Sequence, residues 1–254
     1  MSETVSVAMP DGVTIALPDN LSVISTYVLL EQHDWFEDEI RFLRALIKPG
    51  MRALDVGANF GVYTLALANA VGSTGRVWAI EPGTEAAEHL AKSLAANRFA
   101  HVELIQCALS QADGSGFMQT GVSPELRRLV ADNGAASVKV RSLDSLARER
   151  GIERVDFVKI DVEGEEANVL AGAQEFLARE SPLMMLEFAA EGKLNEDIFD
   201  PLIEAGCTTY RLVPGLNILA PFYESEEPDA YQLNLFACGE RRASALAQIG
   251  RAHV

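Results

Sequence analysis

The chain has 254 residues, 48% hydrophobic and 23% charged. These are the proportions of a folded protein that buries a sizeable core, in one large domain or two small ones, and they exclude a disordered chain. Lys+Arg 21 against Asp+Glu 37 leaves a formal net charge of -16, which repels phosphate backbones and anionic bilayers and so argues against nucleic acid or a membrane as partner.

Cys107, Cys207 and Cys238 are far apart and form no CxxC, which excludes a disulfide framework and a Cys-based zinc site and suits a reducing compartment. No basic segment followed by an apolar run opens the sequence, and no apolar run is long enough to span a bilayer, so a soluble, cytoplasmic chain is expected.

Residues 5–17 read as two short strands around Pro10-Asp11-Gly12, with Val13, Ile15 and Leu17 alternating. Phe36, Ile40, Leu43 and Ile47 recur at helical spacing over 35–47, and Lys48-Pro49-Gly50 ends that helix. From Met51 short apolar runs alternate with amphipathic stretches. Strands are expected at 51–56, 76–80, 101–106, 137–141, 155–160 and 183–188. Helices are expected at 60–71, 85–97, from Leu143, at 165–178 and at 196–205. Strands at 208–213 and 231–238 follow, joined by a loop-like 214–230, which makes them an antiparallel pair.

This order predicts an α/β fold: a mostly parallel, Rossmann-like sheet with helices on both faces and one reversed strand near an edge. The expected organisation is an N-terminal hairpin and covering helix at 1–50, a cofactor-binding domain at 51–238 and a tail at 239–254.

Leu54-Asp55-Val56-Gly57-Ala58-Asn59-Phe60-Gly61 closes a strand and opens a helix, where backbone N–H groups and a helix N-terminus face a ligand. A dinucleotide fingerprint would carry a third glycine where Asn59 stands. Asp55 would repel a pyrophosphate but suits a sulfonium or ammonium. Glu81, ending the next strand in Ile80-Glu81-Pro82, is placed to accept hydrogen bonds from both ribose hydroxyls. The pair points to S-adenosylmethionine, with an NAD-dependent oxidoreductase as the alternative. A plain βα turn flanked by two solvated acids is the reading without function. Gln106 or Cys107, at the end of the third strand, would reach the adenine; Cys107 equally fits a small buried hydrophobe.

Val158-Lys159-Ile160-Asp161-Val162-Glu163-Gly164 puts Lys159 and Asp161 on one strand face and Glu163 at the turn, and Glu187 ends the following strand. Asp161, Glu163 and Glu187 would raise one another's pKa values. That suits a general base for a hydroxyl, or the three could hold a hard divalent cation. Alternatively, Lys159 simply pairs with Asp161, and Glu163 favours a helix N-terminus. His33 is a candidate base or substrate contact, or a solvated neighbour of an Asp34 helix cap. His89 and His101 read as structural, and His253 falls in the tail.

These segments resemble the FkbM family of S-adenosylmethionine-dependent methyltransferases. The resemblance rests on residues 55–61 with Tyr63-Thr64, on Ile80-Glu81-Pro82, and on Ser142-Leu143-Asp144-Ser145-Leu146 followed by 155–164, Val169-Leu170 and Gly172-Ala173. It implies a class I methyltransferase fold with seven central strands and transfer to the oxygen of a sugar, glycan or secondary metabolite. By position it implies that Gly57, Asn59, Gly61 and Glu81 hold the cofactor and that Asp161 faces the reaction centre. The hairpin and the 214–230 loop would shape the acceptor pocket. A small-molecule or glycan acceptor is the expected partner, a homo-oligomer is compatible, and the rival outside enzymology is a non-catalytic cofactor-binding subunit.

Overall fold

The computed structural model describes residues 3–119, 122–123, 125, 127–130, 136–190, 193–226 and 232–250. The expected strand start at Tyr231, part of the expected 214–230 loop and His253 lie outside them. The chain divides into two compact units, residues 1–108 with 114–140, and residues 109–113 with 141–254.

The first unit opens with the expected hairpin, β1 (Thr4–Ala8) and β2 (Thr14–Pro18), in register Val5↔Leu17 and Val7↔Ile15. Helices α1 (Ile24–Gln32) and α2 (Asp38–Leu46) follow. Three parallel strands come next: β3 (Arg52–Val56), β4 (Arg76–Ile80) and β5 (Val102–Ile105), linked by α3 (Val62–Val71) and α4 (Thr84–Asn97). The strands read as continuous apolar runs because both faces are covered, and Leu54, Val56, Val77 and Ala79 are fully buried. Leu90 of α4 packs with Ala58 and Ala79, each such large side chain contributing roughly 1.5–3 kcal/mol.

The free edge of β2 is closed by α4. Ser93 Oγ accepts from Ala16 N–H at 2.8 Å, while the Asn97 side chain accepts from Thr14 N–H at 2.8 Å and donates to Thr14 O at 2.6 Å. Two polar side chains thus satisfy backbone groups that an exposed edge would leave open. After the two-residue β6 (Ala108–Leu109), an antiparallel group of β7 (Gly114–Met118), β8 (Leu129–Val130) and β9 (Ala136–Arg141) forms where the sequence suggested an irregular stretch before 137–141.

The second unit begins with α5 (Leu143–Arg150), whose N-cap Ser142 accepts from Ser145 N–H at 3.2 Å. Strand β10 (Phe157–Ile160) pairs in parallel with β11 (Leu183–Glu187). The helix expected over 165–178 is two helices, α6 (Glu166–Ala171) and α7 (Gln174–Glu180). The break falls at Gly172, where a Cβ would lie 2.5 Å from Ser110 O, so only glycine allows the close approach. The Asp144 carboxylate then caps α7, accepting from Phe176 N–H at 2.7 Å and Glu175 N–H at 3.1 Å.

A short pair, β12 (Ala189–Ala190) and β13 (Lys193–Leu194), precedes a 3-10 turn and α8 (Phe199–Glu204). Strand β14 (Cys207–Val213) and β16 (Asn234–Gly239) pair antiparallel as expected, and β16 is also antiparallel to β11. The expectation of one reversed strand is corrected here: β15 (Ile218–Pro221), inside the stretch read as a loop, pairs antiparallel with β14 and is a second reversal. Gly215 (φ 79°) and Asn217 (φ 52°) supply the left-handed residues of its tight turn. Helix α9 (Glu240–Gly250) ends the described chain. Among the described residues no helix is long and apolar enough to cross a membrane, and Cys107, Cys207 and Cys238 are not joined in a disulfide.

Candidate functional site

In the first unit the turn after β3 is held by left-handed residues: Gly57 (φ 79°), Asn59 (φ 48°) and Gly61 (φ 95°). A Cβ on Gly61 would press on Leu90 of α4, 2.4 Å from its Cδ1, and the φ of 95° strains any other residue there, so both features favour glycine. The loop consumes its own donors. Gly57 and Ala58 N–H both donate to Ile80 O at 3.0 Å, Gly61 N–H donates to Ala58 O at 2.8 Å, and Asn59 N–H donates to Glu81 Oε2 at 2.7 Å. Asn59 Oδ1 is buried without a hydrogen-bond partner, an acceptor whose desolvation goes uncompensated until a donor arrives.

Asp55 is fully buried at the end of β3, and its Oδ2 accepts from the Thr64 hydroxyl at 2.5 Å. Its side chain therefore braces the first turn of α3. Glu81, at the end of β4, is 8% exposed, and its second oxygen accepts from Gly83 N–H at 2.6 Å. Burial pushes its pKa up to about 7. The two backbone bonds and the Arg127 charge oppose that shift, while Asp55 adds to it.

Past the end of β4 lies a cavity of about 570 Å³, lined in part by Gly83, Thr84, Gln106, Cys107, Arg127 and Lys139. Gln106 is exposed, and its amide donates to the Thr84 hydroxyl at 3.1 Å; Cys107 is buried. Arg127 reaches Glu85 in the first turn of α4 at 3.3 Å. His33 is exposed and takes the left-handed conformation (φ 58°) that ends α1. Asp34 caps no helix but forms a two-bond pair with Arg44, both contacts 2.8 Å.

In the second unit Lys159 is 3% exposed and donates to Asp161 Oδ2 at 2.8 Å, as one of the two sequence readings of that pair holds. Asp161, Glu163 and Glu187 each offer a carboxylate oxygen within 4.8 Å of the others. Glu187 is pushed up to about 9, first by burial and then by Asp161, Glu163 and Glu166, with Lys159 opposing. Burial and the neighbouring carboxylates thus favour its protonated form.

The turn between β10 and α6 contains two consecutive left-handed residues, Glu163 (φ 54°) and Gly164 (φ 95°). For a glutamate that conformation carries strain that surrounding bonds must hold. Glu166, buried at 1% exposure, folds back under this turn. Its Oε1 accepts from Val162 N–H at 2.8 Å and Gly164 N–H at 3.4 Å, and its Oε2 accepts from the Asn195 amide at 2.6 Å. Burial raises its pKa, against those bonds.

Against known proteins, the profile of the methyltransferase FkbM domain matches residues 55–206. The chain belongs to the FkbM methyltransferase family. A curated relative, methyltransferase sdnD of Sordaria araneosa, is 28% identical over 156 residues, 48% of this chain and 60% of the relative. The matched part thus spans about three fifths of that relative's length. Among solved structures, an FkbM methyltransferase from Methylobacillus flagellatus is 20% identical with a TM-score of 0.48, over 87% of this chain and 56% of that one. A methyltransferase from Geobacter sulfurreducens is 18% identical with a TM-score of 0.50, over 87% and 89%. The latter likeness bears on the fold and agrees with the α/β expectation.

Within this FkbM chain, the sequence-derived residues fall into two local sets. Gly57, Asn59, Gly61, Glu81 and Asp55 gather at the β3 turn, with Gln106 and Cys107 on the neighbouring cavity. Lys159, Asp161, Glu163 and Glu187 gather at the ends of β10 and β11. His33, the other sequence-derived candidate, closes α1 by donating its N–H to Leu29 O at 3.1 Å. Sequence reasoning missed Thr64, Arg127, Glu166 and Asn195 as site residues. Glu166 was legible in part: an acid following Glu163-Gly164 at the start of a helix is placed to accept from turn amides. Arg127 and Asn195 come from distant segments and carry no local signal.

Proposed function

We propose that this chain transfers a methyl group from S-adenosylmethionine to a hydroxyl of a sugar, glycan or secondary metabolite in the cytoplasm. One observation carries the choice of cofactor: the amides of Gly57, Ala58, Asn59 and Gly61 are all spent within the protein. A pyrophosphate needs such amides free, so the rival dinucleotide reading loses its anchor. A ribose needs an acceptor instead, and each Glu81 oxygen retains a lone pair beyond its one backbone bond. Asn59 Oδ1 offers a further acceptor to a cationic or hydroxyl-bearing ligand. Gln106 and Cys107 line the cavity that would take the adenine.

In the transfer, the acceptor oxygen would attack the methyl carbon in line as the carbon–sulfur bond breaks. The neutral thioether leaves, and the hydroxyl proton passes to Asp161. The enzyme's contribution is mainly alignment, with Lys159 holding the carboxylate that takes the proton. Glu187, whose burial favours its protonated form, would serve as a hydrogen-bond donor. The same three carboxylates form a hard oxygen donor set, so a divalent cation orienting the acceptor oxygens is a second reading; activity that survives EDTA would remove it.

Calorimetry tests the cofactor: S-adenosylhomocysteine should bind and NADH should not, and the reverse would end the proposal. The acceptor would appear in a strain lacking this gene as a compound lighter by one methyl group. Asp161→Asn should lower turnover far more than S-adenosylhomocysteine affinity. Cofactor binding with no lost methylation in the Asp161→Asn strain would favour the non-catalytic subunit.

A further inference from the structure

We propose that Glu166 is a positioning residue: its buried carboxylate holds the 161–164 turn in its left-handed form and thereby sets where Asp161 and Glu163 point. The inference rests on the reading that these carboxylates serve methyl transfer. Four observations carry it. The turn holds two left-handed residues in succession, one of them a glutamate, and such a backbone persists only when its surroundings over-determine it. Two amides of that turn, Val162 N–H and Gly164 N–H, converge on the single oxygen Glu166 Oε1. The other oxygen is held by Asn195, 29 residues on, at 2.6 Å. Glu166 itself is 1% exposed, so its loss takes the acceptor from two buried amides.

The arrangement is not needed to start α6. An acid in the first helical turn favours the macrodipole while facing solvent, whereas this one turns away from solvent and into the preceding loop. What is asked of it is acceptor geometry and not charge. A glutamine can supply that geometry: its carbonyl oxygen replaces Oε1, its NH2 replaces Oε2, and Asn195 meets the NH2 with its own oxygen by rotating its amide.

Glu166→Ala and Glu166→Gln separate these cases. The first readout uses cofactor-free protein: the Val162 and Gly164 amide proton resonances, with their hydrogen-exchange protection. Both should shift upfield and lose protection in Glu166→Ala and stay near wild-type values in Glu166→Gln. The second is methyl transfer from tritiated S-adenosylmethionine into the small-molecule extract of a strain lacking this gene. Its maximal rate should fall at least about tenfold in Glu166→Ala and remain within about threefold in Glu166→Gln, with S-adenosylhomocysteine affinity within about threefold in both.

If Glu166→Ala does not fold, Glu166→Gln still decides, since it must fold and keep both the resonances and the rate. Unchanged resonances in Glu166→Ala would overturn the proposal. So would a Glu166→Gln rate as low as that of Glu166→Ala, which would make charge the requirement. Wild-type protein that transfers no label would sink the methyl-transfer reading alone, and the resonances would still test the role of Glu166.

Discussion

Glu81 combines a functional position with an unusual proton affinity. Its two oxygens are tied to Asn59 and Gly83 N–H groups, yet burial lifts its pKa to about 7. If both oxygens must accept ribose hydroxyl protons, the protonated form binds less well. S-adenosylhomocysteine affinity should therefore rise with pH up to about 7 and flatten above it, and Glu81→Gln should remove the dependence; calorimetry across pH 5.5–8.5 checks both. At pH 8, Glu81→Ala should cost about 1–3 kcal/mol of binding.

Glu187 raises the opposite concern, that of stability. Its folded-state value of about 9 exceeds the ordinary 4.5. The native state thus holds a proton that the unfolded chain has lost, and stability declines as pH rises between those values. Glu187→Gln should be nearly neutral at pH 4.5 and stabilising by ~1–3 kcal/mol at pH 8, within the usual range for one substitution. Urea melts at the two pH values measure it, and equal effects at both would contradict the burial of this acid.

At the scale of elements, α1 shows how a helix can escape a local reading. It begins Ile24-Ser25-Thr26, and its N-cap Val23 makes no side-chain bond. The cap comes from Glu125, about 100 residues away, whose oxygens accept from Ile24 N–H at 2.9 Å and Ser25 N–H at 2.6 Å. Glu125→Ala should therefore cost about 0.5–2 kcal/mol, as loss of a cap does, with faster exchange confined to the first turn of α1. Unchanged exchange there would refute the cap. The 165–178 segment fails for a related reason: its helical periodicity is real, but the approach of Ser110 to Gly172 divides it. By contrast β3, α3, β4 and α4 appear within a residue or two of where apolar runs and turn residues put them, because each carries its own start and stop signals.

For the whole molecule, a net charge of -16 opposes compaction through self-repulsion. The melting temperature at pH 8 should rise as NaCl is increased from about 0.01 to 0.3 M, where screening shortens from roughly 30 Å to below 8 Å. The gain should shrink as the pH is lowered toward the isoelectric point; a salt-independent Tm at pH 8 would show the acids locally compensated. Some are: Asp34 with Asp11 around Arg44, and Asp113 with Glu149 around Arg141, whose side chain is 9% exposed. Burial and the charges of near neighbours, not net charge, raise the affinities of Glu81 and Glu187 for protons, with backbone hydrogen bonds opposing the rise at Glu81.

The amino-acid order alone determined the alternation of strands and helices, the tight turn at 57–61 and the placing of acids at strand ends. These depend on periods of two and 3.6 residues, on glycine's freedom at positive φ and on neighbours a few positions away. Family membership was legible in the same short segments. Tertiary structure decided what those residues do with their polar atoms. It turned Asp55 inward to Thr64, spent the loop amides within the protein, raised the proton affinity of Glu187 and brought Asn195 to Glu166 and Glu125 to α1. Each of these outcomes rests on desolvation or on a hydrogen bond between distant segments, and both exist only once the chain is packed.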